Sequence, residues 1–248
     1  DDQQHGDWEY YYDSLPQLQS AGAYARGSKT GKWQFWYKGG EQWRTGSYVN
    51  GKKDSVWTTW FESGQMLQQG PYVNGVAQGE WSSWYENGQL KDKGTYEKGQ
   101  MEGEWVGYYP NGKLNYQGIL KSGLKEGKWT YGYSNGKTRE EIEYKAGQKD
   151  GAYASYYPSG KPEQIGTYEK MVKTGHWKFY TDYGMLVRED EYSKGELHGK
   201  SITYQRGGVV SSESYFKEGL STGTWKFFDE KGELIQKVKY KNGRRVTE

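Results

Sequence analysis

The chain repeats itself every 24 residues, and that period constrains the fold more tightly than any other feature. A leading glycine recurs as Gly31, Gly79, Gly103, Gly127, Gly151, Gly175, Gly199 and Gly223, with Ser55 in the one vacant register. Gly6 heads a further copy that is one residue longer. The clearest unit, from Gly79 to Gly103, reads GEWSSWYENGQLKDKGTYEKGQMEG. A fixed period over almost the whole length describes a modular array in which each unit stacks on its neighbours. Such arrays build long surfaces, so the period favours binding over catalysis.

With the leading glycine as position zero, position two is Trp8, Trp33, Trp57, Trp81, Trp105, Trp129, Tyr153, Trp177, Ser201 and Trp225. Positions eight and nine are turn dipeptides such as Asn87-Gly88, Asn111-Gly112 and Asn135-Gly136. Asn-Gly between aromatic-rich runs signals a β-hairpin, because both residues of a two-residue turn need positive φ. An apolar residue follows at position eleven, Gly at fifteen, Tyr at seventeen, and a second Gly-containing turn near twenty (Gly51, Gly75, Gly99). A two-residue turn at eight and nine pairs positions that sum to 17. Trp at two then faces Gly at fifteen, Tyr at six faces Leu at eleven, and Gly at zero faces Tyr at seventeen. Rings lying over cross-strand glycines offset the weakness of Gly in strands.

Composition supports a core made of rings. Hydrophobic residues are 33% of the chain and aromatic residues 17%, including 25 Tyr and 12 Trp, so aliphatic side chains are scarce. The expected fold is all-β: about ten hairpins in one elongated antiparallel array, without helix. Residues 1–30 and 223–248 are expected to cap eight central repeats at 31–222. At ~4.8 Å per strand the array would extend roughly 95 Å before twist. The extra residue near Ser14-Leu15-Pro16 is expected to lengthen the first turn, because proline cannot donate to a central ladder.

Strand alternation puts position five on the face opposite the position-two Trp row. That position holds Tyr11, Trp36, Trp60, Trp84, Tyr108, Tyr156, Tyr180, Tyr204 and Phe228, with Gly132 breaking the series. Rings at one per hairpin among Lys, Glu, Gln and Ser are either cross-strand packing or a partner surface. A bulge near the turn would swap the faces. As a partner surface, the candidate residues are Trp36, Trp60, Trp84, Tyr108, Tyr156, Tyr180, Tyr204 and Phe228.

The chemistry of catalysis lacks a constellation. Cysteine is absent, which removes disulfides, thiolate metal sites and a cysteine nucleophile. The three histidines, His5, His176 and His198, read as solvated surface residues. The acidic runs Glu140, Glu141, Glu143 and Glu189, Asp190, Glu191 read as a solvated polar face. No Gly-rich segment leads into a helix with a Lys-Ser or Lys-Thr step. No cofactor and no metal are expected, and the chain reads as no enzyme. With 34 basic and 32 acidic residues the net charge is +2, which gives no reason to expect nucleic acid. The basic group Lys237, Lys239, Lys241, Arg244 and Arg245 reads as a charged edge that resists pairing. No apolar run approaches the roughly 20 residues needed to span a bilayer. The opening Asp1-Asp2-Gln3-Gln4 is either a mature terminus after signal removal or an arbitrary boundary. Absent cysteine leans toward the periplasm or cell surface, with the cytoplasm open.

The pattern carried by Gly79, Trp81, Trp84, Tyr85, Asn87, Gly88, Leu90, Gly94, Tyr96, Gly99 and Gly103 resembles the MORN-variant repeats of bacterial proteins labelled YwqK-like antitoxins. The resemblance implies β-hairpins joined edge to edge into a twisted trough, acting as a scaffold for protein interaction or dimerisation; lipid binding has also been proposed for such repeats. WYENGQL also resembles choline-binding and glucan-binding wall repeats, which cage quaternary ammonium between rings. Those units run near 20 residues and open with Gly-Trp rather than Gly-x-Trp, so that reading ranks second. The expected function is a scaffold or adaptor for a protein partner, possible as a subunit of a larger assembly, with glycan or cell-wall binding as the alternative. Toward the C-terminus position six becomes Thr181, Gln205 and Asp229, and Ser201 replaces Trp. This drift fits capping repeats or a specialised surface.

Overall fold

The computed structural model describes residues 3–246, so the reading of Asp1 and Asp2 lies outside the described residues. These residues form 22 strands and no helix. The chain divides into two units, residues 1–124 and 125–248. Within each unit the strands follow one another as an antiparallel meander, with Val76–Ala77 and Gly79–Trp84 as two pieces that both pair with Met66–Val73. The all-β hairpin repeat read from the period is therefore present in both. The first turn is lengthened as expected: the Tyr12 amide donates to the Gln17 carbonyl at 3.0 Å, leaving Asp13 to Pro16 as the loop.

The turn at positions eight and nine corrects the sequence reading. It is not a two-residue turn. The Gly88 amide donates to the Tyr85 carbonyl at 2.9 Å, and the Tyr85 amide to the Gln89 carbonyl at 2.8 Å. Three residues, Glu86 to Gly88, make the loop, and only Gly88 takes positive φ (80°). Asn87 stays out of the left-handed region, as do Ser63, Tyr183 and Lys231 in the same loop of other repeats, and its side chain is engaged. Its Oδ1 accepts from the Gln89 amide at 3.0 Å and its Nδ2 donates to the Pro110 carbonyl at 2.9 Å. The two-residue turn that requires positive φ twice lies instead at the other end of the hairpin, as in Asn50-Gly51 (49° and 75°) and Asn74-Gly75 (52° and 85°).

The longer turn changes the register beside it. Trp81 pairs with Gly94 and Gly79 with Tyr96, as the sum of 17 requires, but Trp84 pairs with Leu90 after a shift between Ser83 and Trp84. The expected pairing of Tyr85 with Leu90 is thus replaced, with position five taking the place of position six. The extra residue is Lys91, on the returning strand. Alternation along the outgoing strand is unbroken, so positions two and five remain on opposite faces.

Position six has another task. Its tyrosine hydroxyls donate to the position-five carbonyl of the following hairpin: Tyr12 to Trp36 (2.7 Å), Tyr37 to Trp60 (2.8 Å), Tyr85 to Tyr108 (2.9 Å), Tyr133 to Tyr156 (2.8 Å) and Tyr157 to Tyr180 (2.9 Å). Each hook ties one turn to the next. Replacing Tyr157 by Phe is expected to lower stability by about 1 kcal/mol, read as a shift in the urea midpoint without a change in slope.

The core is the face of positions two, four, fifteen and seventeen. Trp33 and Trp177 are fully buried, and Trp57, Trp105 and Trp129 nearly so. Trp33, Trp57, Trp81 and Trp177 each meet two position-seventeen tyrosines edge to face, as Trp57 does with Tyr48 (5.1 Å) and Tyr72 (6.4 Å), a favoured geometry for aromatic quadrupoles. The indole N–H donates to a carbonyl ten residues earlier: Trp33 to Ala23, Trp57 to Ser47, Trp81 to Pro71 and Trp177 to Thr167, all at 3.1–3.2 Å. That donor places the ring over the preceding hairpin. A Cβ on Gly22 would lie 2.3 Å from the Trp33 ring, and one on Gly46, Gly70 or Gly166 would lie 2.0–2.2 Å from Trp57, Trp81 or Trp177. The ring therefore covers the glycine of the hairpin before it, not its own cross-strand partner as the sequence reading had it.

Candidate functional site

The two faces differ in how their rings are used. Trp36, Trp60, Trp84, Tyr108, Tyr156, Tyr180, Tyr204 and Phe228 are all half-buried, while Tyr11 at the start of the row is exposed. Each pairs across its hairpin with position eleven, as Trp60 with Met66, Trp84 with Leu90, Tyr108 with Leu114 and Tyr180 with Leu186. None of them makes a ring–ring contact, in contrast to the Trp rows of the opposite face. Strand spacing sets successive rings of this row roughly 10 Å apart.

The row is not uniform along the chain. In residues 125–248 its surroundings are ion pairs. Lys128 meets Glu141 at 2.7 Å, Lys178 meets Glu189 at 3.2 Å, and Glu213 holds both Lys200 (2.6 Å) and Lys226 (3.4 Å). The hydroxyls of Tyr156 and Tyr204 are tied to Glu141 (3.2 Å) and Glu189 (2.8 Å). Burial and then the Glu189 hydrogen bond push the Tyr204 hydroxyl up to about 12. In residues 1–124 the corresponding neighbours are Thr45, Gln69, Lys93 and Gln117, and the row is Trp36, Trp60, Trp84 and Tyr108. A hollow of about 340 Å³ beside Tyr108 is lined by Glu80, Lys93, Glu104 and Gln117. The sequence-predicted residues thus separate into a tryptophan-rich stretch without that lacing and a stretch laced into carboxylates.

The lacing has a pH signature. The Lys200 hydrogen bond, and to a lesser degree Lys226, holds the Glu213 carboxyl below its ordinary value of 4.5 against the opposing effect of burial. A carboxylate whose folded pKa is depressed contributes stability above its unfolded pKa and loses it as pH falls through the folded value. Glu213→Gln is therefore expected to flatten the loss of melting temperature on acidification below about pH 4.5, and to leave the dependence above pH 6 unchanged.

The histidines make shallow contacts. His176 lies 3.9 Å from Glu191, and His198 Nδ1 accepts the Glu218 amide at 3.4 Å. No group of three or more metal-ligating side chains occurs among the described residues. The acidic run at Glu189–Glu191 requires a correction: Asp190 is 2% exposed, not solvated. It sits at position fifteen, where most other repeats hold glycine, and it accepts from Ser201 Oγ at 2.7 Å and pairs with Arg188 Nε at 2.9 Å. Ile142 likewise replaces the glycine and is fully buried where Tyr153 replaces Trp. Wherever the ring shrinks, the residue beneath it grows. That exchange is written in the sequence as Gly46/Trp57 against Ile142/Tyr153 and Asp190/Ser201, and it was the available signal for Asp190. The sequence reading also passed over Lys29, Arg44 and Lys53, which lie against the rings of the core face.

Six segments of the chain match the family model described as a MORN repeat variant: residues 53–74, 77–98, 101–121, 125–146, 149–170 and 221–242, together more than half of the sequence. No curated protein matches. Among solved structures, the crystal structures of TcdB2-TccC3 and TcdB2-TccC3-Cdc42 are similar at 9% identity and a TM-score of 0.22, over 95% and 94% of this chain. This chain spans 17% and 14% of those chains, a likeness too slight to carry an argument.

Proposed function

The chain belongs to the MORN repeat variant family, and on that premise we propose that it is a non-enzymatic scaffold or adaptor that docks a protein partner on the position-five face. The anchors are Trp36, Trp60, Trp84 and Tyr108, continued by Tyr156, Tyr180, Tyr204 and Phe228. One observation carries this reading: the rings of that face make no ring–ring contact, and in the tryptophan-rich stretch they lack the ion-pair lacing found further along. Trp and Tyr bury large rigid area at low entropic loss, which is why they recur as interface hot spots. Kinship with the bacterial YwqK-like proteins, a place outside the cytoplasm, and terminal caps at 1–30 and 223–248 belong to the same proposal.

The test is partner capture with two variants. Trp60→Ala is expected to weaken partner binding by ~2 kcal/mol or more while lowering the melting temperature less than Trp81→Ala does. Equal destabilisation with unchanged partner affinity would make position five structural. Specific retention on polysaccharide without any protein partner would replace the proposal with glycan binding.

A further inference from the structure

Three cations on the core face of residues 1–124 lack a counter-charge among the described residues. Lys29 Nζ lies 4.0 Å above the Trp33 ring, and Lys53 Nζ 4.5 Å above Trp57. The Arg44 guanidinium stacks 4.2 Å from Trp43 and 4.4 Å from Phe35. Among the described residues none of the three forms an ion pair, and Arg44 Nε is closed off from solvent without a hydrogen-bond partner. Burial lowers the Lys29 and Lys53 ammonium pKa values; at both, the like charge of Arg44 adds to the effect. Clustered cations around orphaned donors are unfavourable unless something anionic joins them. Beside them is a hollow of about 430 Å³, lined by Tyr10, Ser20, Tyr24, Lys29, Phe35 and Arg44.

The same arrangement recurs six repeats later, and there it is complete. Lys173, Trp177, Phe179, Arg188 and Tyr192 occupy the positions of Lys29, Trp33, Phe35, Arg44 and Tyr48. Lys173 lies 4.0 Å over Trp177 and Arg188 stacks 4.3 Å from Phe179, matching Lys29 and Arg44. The difference is Asp190, whose carboxylate meets Arg188 at 2.9 Å. Its counterpart is Gly46, where the Trp57 ring leaves no room for any side chain. The chain therefore builds in a carboxylate at one copy and forbids it at the other.

We propose that the hollow at Lys29 and Arg44 binds the carboxylate of an acidic side chain on a partner peptide. The peptide supplies from outside what Asp190 supplies within, and the flanking rings of Tyr10, Tyr24 and Phe35 cover its apolar atoms. This site lies on the face opposite the position-five row, so it stands even if that row binds nothing.

The probe is a fluorescein-labelled peptide of alternating Glu and Ser, titrated into the full chain by fluorescence anisotropy. Arg44→Gln and Lys29→Gln are each expected to weaken binding about tenfold or more. A control with Lys237→Gln and Lys239→Gln on the basic edge is expected to bind within about twofold of the parent, since those charges are solvated. Gly46→Asp combined with Trp57→Ser transplants the Asp190–Ser201 arrangement and is expected to abolish binding while far-UV circular dichroism stays that of a folded β protein. The proposal is overturned if the parent does not bind the peptide, if Arg44→Gln binds as tightly as the parent, or if the basic-edge control alone loses binding. Binding to vesicles of phosphatidylserine without binding to the peptide also overturns it.

Discussion

Replacing Trp177 by Ala is expected to destabilise the fold by ~3–5 kcal/mol, the largest effect of any single truncation in the chain. The indole is fully buried. It packs against Tyr153, Tyr168, Phe179 and Tyr192, with ring centroids 5.2–6.3 Å away. Its N–H donates to both Thr167 and Thr174 carbonyls at 3.2 Å, and Lys173 lies above it. Truncation removes all of these at once and leaves a cavity that the surrounding β-hairpins, pinned by their own turns, cannot close. Urea unfolding followed by far-UV circular dichroism measures the loss. A change below about 1 kcal/mol would mean that the ring row contributes little beyond ordinary surface packing.

Filling the space beneath that ring is the second large effect. Gly166 has an extended backbone, so an added side chain meets no conformational penalty there; what it meets is the indole, 2.2 Å from an ideal Cβ. Gly166→Ile is expected to destabilise by at least the ~1–3 kcal/mol usual for overpacking, because a fully buried ring has nowhere to move. Loss of the near-UV tryptophan signal at low urea should accompany it.

Much of the fold was legible because the period fixes which residues share a face. The Trp and Tyr rows at positions two and seventeen, the glycines at fifteen and the hairpin turns all follow from counting. What counting missed is the length of the turn at Asn87. Its dipeptide partner Gly88 signals a two-residue turn, but the same three-residue loop forms where Ser63 or Tyr183 stands in place of Asn, so the loop belongs to the repeat's backbone and the Asn side chain only adds a bond to Pro110. The three-residue turn moves position five, not six, opposite Leu90. Because the compensating bulge falls on the returning strand, the face assignment of Trp36, Trp60 and Trp84 survived. Asp190 was misread for a different reason. A short acidic run looks solvated in isolation, and only the loss of the following Trp at Ser201 shows that there is space for a buried carboxylate. Arg44 and its lysines gave no motif at all, since their significance lies in the carboxylate they lack.

The central claim is that Trp33, Trp57, Trp81, Trp105 and Trp177 are each held by the glycine of the hairpin before it. The most direct measurement is a double-mutant cycle on Gly166 and Trp177, with Ile and Tyr as the replacements, because Ile142 and Tyr153 already form that pair one repeat earlier. The account predicts that Gly166→Ile combined with Trp177→Tyr is more stable than Gly166→Ile alone, with a favourable coupling of about 0.5–3 kcal/mol. Simple addition of the two single losses would contradict it.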